Sequence, residues 1–142
     1  MKKGGLYVLG QLSLLGILVL TASQQPGVLS FVIAALAILL GLTAMLAMTK
    51  PTLTVMPEVA RGAELSTNGP YKYIRHPMYS ALILLGLAML VQDFTYVRLG
   101  VYVALVILLI FKSRYEERLL AAHYRTYAVY QKKTYRFIPK MY

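Results

Sequence analysis

The sequence predicts an all-α membrane protein, with about four transmembrane helices followed by a cytoplasmic C-terminal amphipathic helix. Three observations predict it. Of 142 residues, 58% are hydrophobic and 14% are charged, against about 25% charged in soluble domains, too few to cover a globule in water. Residues 4–49 contain no Asp, Glu, Lys or Arg, a run too long for one bilayer crossing. The 15 Lys and Arg residues, against 5 Asp and Glu, collect at the ends of the apolar segments, where they suit an anionic membrane surface better than nucleic acid.

The elements follow in order. The first apolar run breaks only at Ser23-Gln24-Gln25-Pro26-Gly27, which divides it into spans 4–23 and 28–49. Each is about 20 residues, or roughly 30 Å of helix, matching a hydrocarbon core. A cleavable leader is disfavoured, because no clear cleavage site precedes the second span. Spans 77–92 and 96–111 follow, separated by a turn at Asp93-Phe94-Thr95. At about 16 residues each they are short, so thinning of the bilayer, snorkelling by Arg98 and Lys112, or extension into the interface is expected. The four spans are read as two hairpins. Segment 112–142 is basic and Tyr-rich, with Glu116, Leu120, Tyr124, Tyr127 and Gln131 at helical spacing; it reads as the amphipathic helix. Gly4, Gly5, Gly10, Gly16 and Gly41 are placed to let helices approach closely.

Every Lys and Arg except Arg98 falls on one side if both termini and the loop at 50–76 share it. That bias puts both termini in the cytoplasm, making a multi-pass integral membrane protein. No repeat or long linker divides the chain, so residues 1–142 form a single domain. With no Cys and two His, a disulfide scaffold, a thiolate nucleophile and a Cys/His metal site are excluded, and no metal is expected.

Two constellations carry chemistry. In the first, residues 65–79, Asn68-Gly69-Pro70 makes a turn and Pro77 suits a first helical turn. His76 then lies beside a helix N-terminus, where free N–H groups attract a polar or anionic ligand, and Arg75 adds a fixed positive charge. In the second, residues 112–120, two adjacent acids, Glu116 and Glu117, follow the last span, where the helix dipole disfavours them. They could form an exposed ladder, Lys112 with Glu116 and Arg114 with Glu117. Glu116, however, shares a stripe with Leu120, Tyr124 and Tyr127, and a carboxylate on a packed face is a functional candidate.

With both segments in view, LSTNGPYKYIRHPMYSAL and EERLLAAHYRTYAVYQKKTYRFIP, the chain resembles the integral-membrane isoprenylcysteine carboxyl methyltransferases and phospholipid methyltransferases. The resemblance implies S-adenosylmethionine bound at the cytoplasmic face. Tyr71, His76, Pro77, Met78 and Tyr79 would line its site, a loop at 63–66 with Leu65 and Ser66 would close over it, and Glu116, with Glu117 beside it, would hold the other side. The substrate-orienting Arg of the family falls at Lys112, with Arg114 two residues later and Arg75 nearby as further cations. The Gly that often follows the aromatic of the C-terminal motif is replaced by Arg125.

A lipid-like or prenylated acceptor, entered from the membrane lipids, is implied. Methylation of a carboxylate is favoured, because that group is ionised near pH 7 and needs no general base. Two other readings stand beside this one: an NADPH-dependent membrane reductase of sterol-reductase type, which carries a similar Arg-His-Pro string, and a non-enzymatic protein that binds anionic lipid or a partner. Oligomeric state is left open.

Overall fold

Residues 3–22, 27–48 and 65–139 are described by a computed structural model, which is 79% helical with no strand among the described residues. The helices are α1 (Lys3–Leu20), α2 (Val28–Ala47), α3 (Pro77–Gln92), α4 (Tyr96–His123) and α5 (Tyr127–Lys133), with a 3-10 turn at Gly69–Lys72 before α3. Val28–Ala47 and Tyr96–His123 are long and apolar enough to cross a membrane, whereas Gly4–Leu20 and Pro77–Gln92 are shorter apolar helices. Of the expected interruption at 23–27 only Gly27 is described, and residues 50–64 of the expected loop at 50–76 lie outside the described residues.

Local chemistry sets the boundaries. Gly27 stands in extended conformation ahead of α2, and Pro77 opens α3, where its missing N–H is no loss. Thr95 caps α4, its Oγ1 accepting from the Arg98 N–H at 3.2 Å.

Helix α4 is extended beyond the 96–111 span, one of the three outcomes expected for a segment so short. It does not stop near residue 111 but runs unbroken for 28 residues to His123. The stretch from Lys112 to His123 holds neither Gly nor Pro and is rich in Lys, Arg, Glu, Leu and Ala, all good helix formers. The separate amphipathic helix expected over 112–142 is therefore two pieces, the polar end of α4 and the short α5, joined by a bend at residues 124–126.

The two-hairpin arrangement is also corrected. Extensive packing joins α2 to α3 and α1 to α4, with α3 against α4 and α1, so the successive helices α1 and α2 are not each other's main partners. Small residues explain the first pairing: α2 buries only Ser30, Ala37 and Ala44, a thin stripe that lets its backbone approach α3. Leu18, Leu105 and Leu109 form the core between α1 and α4. There the approach is closest at Gly10, where a Cβ would lie 2.7 Å from Leu108 Cδ1. Gly5 and Gly16 meet no neighbour within 4 Å, contrary to expectation.

Snorkelling fails as well, since Arg98 and Lys112 are each only 2% exposed. Arg98 donates to Thr21 Oγ1 at 3.1 Å and to the Met89 carbonyl at 2.5 Å. Met89 lies in the last turn of α3, whose carbonyls have no partner within the helix; a guanidinium that answers one of them gains more there than in water.

Gly69 is the fold's tightest turn. Its φ is +56°, and a Cβ would lie 2.9 Å from the Ala47 Cβ at the end of α2. Gly69→Ala is expected to destabilise the protein by about 1–3 kcal/mol through strain and overlap. Thermal unfolding in detergent would measure it; an unchanged midpoint would mean that the turn relaxes freely.

Candidate functional site

The turn brings the loop back onto the helices. Ser66 Oγ donates to the Ala47 carbonyl at 2.8 Å, tying the loop to α2. After the 3-10 turn, Ile74 forms a parallel bridge with Tyr135. The Tyr135 N–H donates to the Tyr73 carbonyl at 2.9 Å, the Arg75 N–H to the Tyr135 carbonyl at 2.7 Å, and the His76 N–H to the Arg136 carbonyl at 3.1 Å. Ser80 Oγ donates to the Phe137 carbonyl at 2.7 Å. The segment after α5 is thereby strapped along the start of α3. The free N–H groups expected beside His76 are largely engaged, since those of Tyr79 and Ser80 bond the His76 carbonyl at 3.0 and 3.1 Å.

Beneath the strap lies a buried ion-pair cluster centred on Glu117. Arg75 Nε donates to its Oε1 at 2.8 Å, and Arg136 donates to Oε2 at 2.6 Å and to Oε1 at 3.1 Å. His76 Nε2 stands 3.4 Å from Oε1. Arg75 Nη1 also donates to the Gln131 carbonyl at 3.0 Å and to the Thr134 carbonyl. Side-chain exposures of 10% for Arg75, 6% for Glu117 and 15% for Arg136 place all three out of bulk water. Burial opposes ionisation of Glu117, but the close approach of His76 and the hydrogen bonds from Arg136 and Arg75 outweigh it and hold the carboxyl well below the usual range. Glu117 thus lies on the packed side, bound to partners other than Arg114, which is exposed.

Glu116, one residue earlier, opens a second polar group. Its Oε1 accepts from the Tyr79 hydroxyl at 2.5 Å, and its Oε2 lies 3.6 Å from His76 Nδ1. The His76 and Tyr79 rings stack at 5.4 Å, and Phe137 meets both edge-on. Lys112 Nζ sits 5.0 Å from the Tyr79 ring centroid and donates to Gln11 Oε1 of α1 at 2.9 Å. His76 thus lies between two carboxylates, and its buried Nε2 makes no hydrogen bond.

Of the residues expected at the site, Tyr71, His76, Pro77, Tyr79, Lys112, Glu116, Glu117 and Arg75 come together around the start of α3 and the polar end of α4. Tyr71 is buried and its carbonyl accepts from the Tyr130 hydroxyl at 2.6 Å. Burial first, and then the nearby Tyr130 and Glu116, push its phenol up, so it stays neutral; burial likewise raises Tyr130 to about 12. Met78 is 39% exposed, outside this packing. Ala63 and Glu64 of the expected covering loop lie outside the described residues.

Leu65 lies elsewhere, on the wall of an open cleft of about 400 Å³ shared with Thr67, Lys72, Thr126, Val129 and Tyr130. The cleft has the size of a small-ligand pocket, but its lining does not include His76, Tyr79 or Glu116. Charge complementarity and open space are therefore neighbours rather than one feature. Sequence reasoning missed Gln11, Arg136, Phe137 and Thr134. Gln11 carried a signal, being the one amide in the apolar run of α1; Arg136 was one among many cations.

A family model described as phospholipid methyltransferase matches residues 27–127. The chain belongs to the phospholipid methyltransferase family. Its membership makes it a methyltransferase of a membrane-associated family whose substrates are lipids, and selects that reading over the NADPH reductase and the non-enzymatic anchor. No curated protein matches the chain. The family segment carries Tyr71, His76, Tyr79, Lys112, Glu116 and Glu117, whereas Gln11, Thr134, Arg136 and Phe137 lie outside it.

Proposed function

We propose that this member of the phospholipid methyltransferase family is a four-span membrane enzyme with both termini in the cytoplasm. It transfers a methyl group from S-adenosylmethionine to the carboxylate of a lipid-like or prenylated acceptor. The observation that carries the reading is the Glu116 carboxylate held by Tyr79 and faced by His76, with the Lys112 ammonium beside the same Tyr79 ring.

These residues fit the cofactor's chemistry. S-adenosylmethionine would supply a methyl group on a sulfonium, to which an acceptor lone pair bonds as the carbon–sulfur bond breaks and a neutral thioether leaves. Glu116, 15% exposed, can pair with the cationic donor or accept its ribose hydroxyls. His76 turns its Nδ1 toward Glu116 at 3.6 Å, so the pair can present an acid and an imidazole to the same ligand. Leu65 and Val129 of the neighbouring cleft offer apolar surface for a base. Lys112, with Arg114 beyond it, orients an anionic acceptor, and the packing of His76, Tyr79 and Phe137 helps to exclude water. The distribution of cations supports cytoplasmic termini. A second reading takes a phospholipid as acceptor, as the family's description has it, with the headgroup amine as the nucleophile.

One experiment tests both. The purified protein is reconstituted with methyl-tritiated S-adenosylmethionine and either N-acetyl-S-farnesylcysteine or phosphatidylethanolamine vesicles. Label released by alkali as volatile methanol marks a carboxyl ester, the expected result. Alkali-stable label in the phospholipid would replace it with the amine reading, and no transfer to either probe, with no binding of S-adenosylhomocysteine to folded protein, would sink both.

A further inference from the structure

Lys112, like Arg98, is a buried cation outside the ion pairs of the fold, and of the two it is the one beside the site, with the charge of Glu116 acting on it from beyond ion-pair distance. It is 2% exposed, and no carboxylate among the described residues pairs with it. Its ammonium meets the amide oxygen of Gln11 at 2.9 Å and the face of Tyr79 at 5.0 Å. Burying an ammonium without a counter-ion is costly, and in a membrane protein it marks function by default. A carbonyl oxygen and a ring face hold the cation in place without cancelling its charge, as a carboxylate would. An ammonium has three donors, and Gln11 engages one of them.

Gln11 is held in turn. Gly10 lies close against Leu108, and Tyr7 meets Tyr115 at 5.9 Å between ring centroids, so α1 contacts α4 one turn before and one turn after Lys112. Helix α1 lies wholly outside the family-matched segment 27–127. The polar side chain in the middle of this apolar helix is directed at a buried cation of the matched segment, whose hydrogen bond it accepts.

We propose that Gln11 is a positioning residue of the methyl-transfer site, holding the Lys112 ammonium against Tyr79 so that its remaining donors receive the anionic group of the acceptor. The shared chemistry is an oxyanion, carboxylate or phosphate diester. The proposal rests on the methyltransferase reading above.

The test uses the full chain in proteoliposomes with Gln11→Leu, Gln11→Glu, Lys112→Met and the Gln11→Leu/Lys112→Met double variant. N-acetyl-S-farnesylcysteine and phosphatidylethanolamine are the probes, and they distinguish the two sources of the oxyanion. Gln11→Leu is expected to raise the acceptor KM at least tenfold, with binding of S-adenosylhomocysteine unchanged, while Gln11→Glu, which keeps an oxygen on the ammonium but sets a full negative charge against it, should raise KM as well and leave the thermal midpoint at or above that of wild type. Independently of activity, Gln11→Leu should lower the thermal midpoint in the wild-type background and not in Lys112→Met. An unchanged KM in Gln11→Leu, with transfer intact, overturns the positioning role alone. Absence of transfer by wild type to either probe and of S-adenosylhomocysteine binding, with the thermal coupling present to show a folded protein, overturns the methyltransferase reading and this role with it.

Discussion

Glu117→Ala is expected to cost about 3–5 kcal/mol of stability, because it leaves two buried guanidinium groups without their counter-charge. Arg75 and Arg136, 10% and 15% exposed, both bond Glu117, and together they tie α4 to the loop before α3 and to the strap after α5. Thermal unfolding in detergent, followed by circular dichroism, would read the loss; a change below about 1 kcal/mol would mean that these charges behave as if exposed. The same cluster sets an acid limit. A carboxyl whose folded value is depressed contributes stability above its unfolded value, near pH 4.3, and loses that contribution as pH falls toward the depressed value. The wild type should therefore lose stability as pH drops below the ordinary carboxylate range, and Glu117→Gln should lose less.

Glu116→Ala is expected to leave the fold intact and to weaken S-adenosylhomocysteine at least tenfold, about 1.4 kcal/mol. The contrast with its neighbour follows from partners: Glu116 accepts one hydrogen bond, from Tyr79, and faces His76 at 3.6 Å, while Glu117 is bound by two arginines. Removing Glu116 leaves no guanidinium unpaired. Calorimetric titration of wild type beside Glu116→Ala and Tyr79→Phe would measure the effect. Tyr79→Phe keeps the carboxylate but frees it from its hydroxyl donor, so a smaller loss is expected. Equal affinity in wild type and Glu116→Ala would remove Glu116 from the cofactor site.

Much of this was legible from pattern alone. The Asn68-Gly69-Pro70 turn, Pro77 at the start of a helix, and the break near Asp93 each come from residues whose backbone preferences act locally, and all three stand in the fold. The grouping of His76, Tyr79 and Glu116 came from two sequence motifs read together. What each acid does was not legible. Glu116 and Glu117 are adjacent and chemically alike, and helical spacing placed Glu116 on the inner stripe; Glu117 proved the more buried because the strap carries Arg136 across to it. Snorkelling by Arg98 and Lys112, one of the options expected for the short spans, did not occur, since a long cation beside an apolar run can reach for water or for a neighbouring helix, and spacing does not record which neighbour is near.

The sequence by itself determined the apolar helices, the concentration of cation and aromatic residues at one end, and the motifs of the family. These rest on interactions within a few residues of one another: hydrophobic runs, missing N–H groups and turn conformations. Only the tertiary structure decided that α2 packs on α3 and α1 on α4, that Gln11 meets Lys112, and that Arg136 closes on Glu117. Those contacts join residues far apart in the chain, and they are set by which small residues let two helices approach and which buried charge finds a partner.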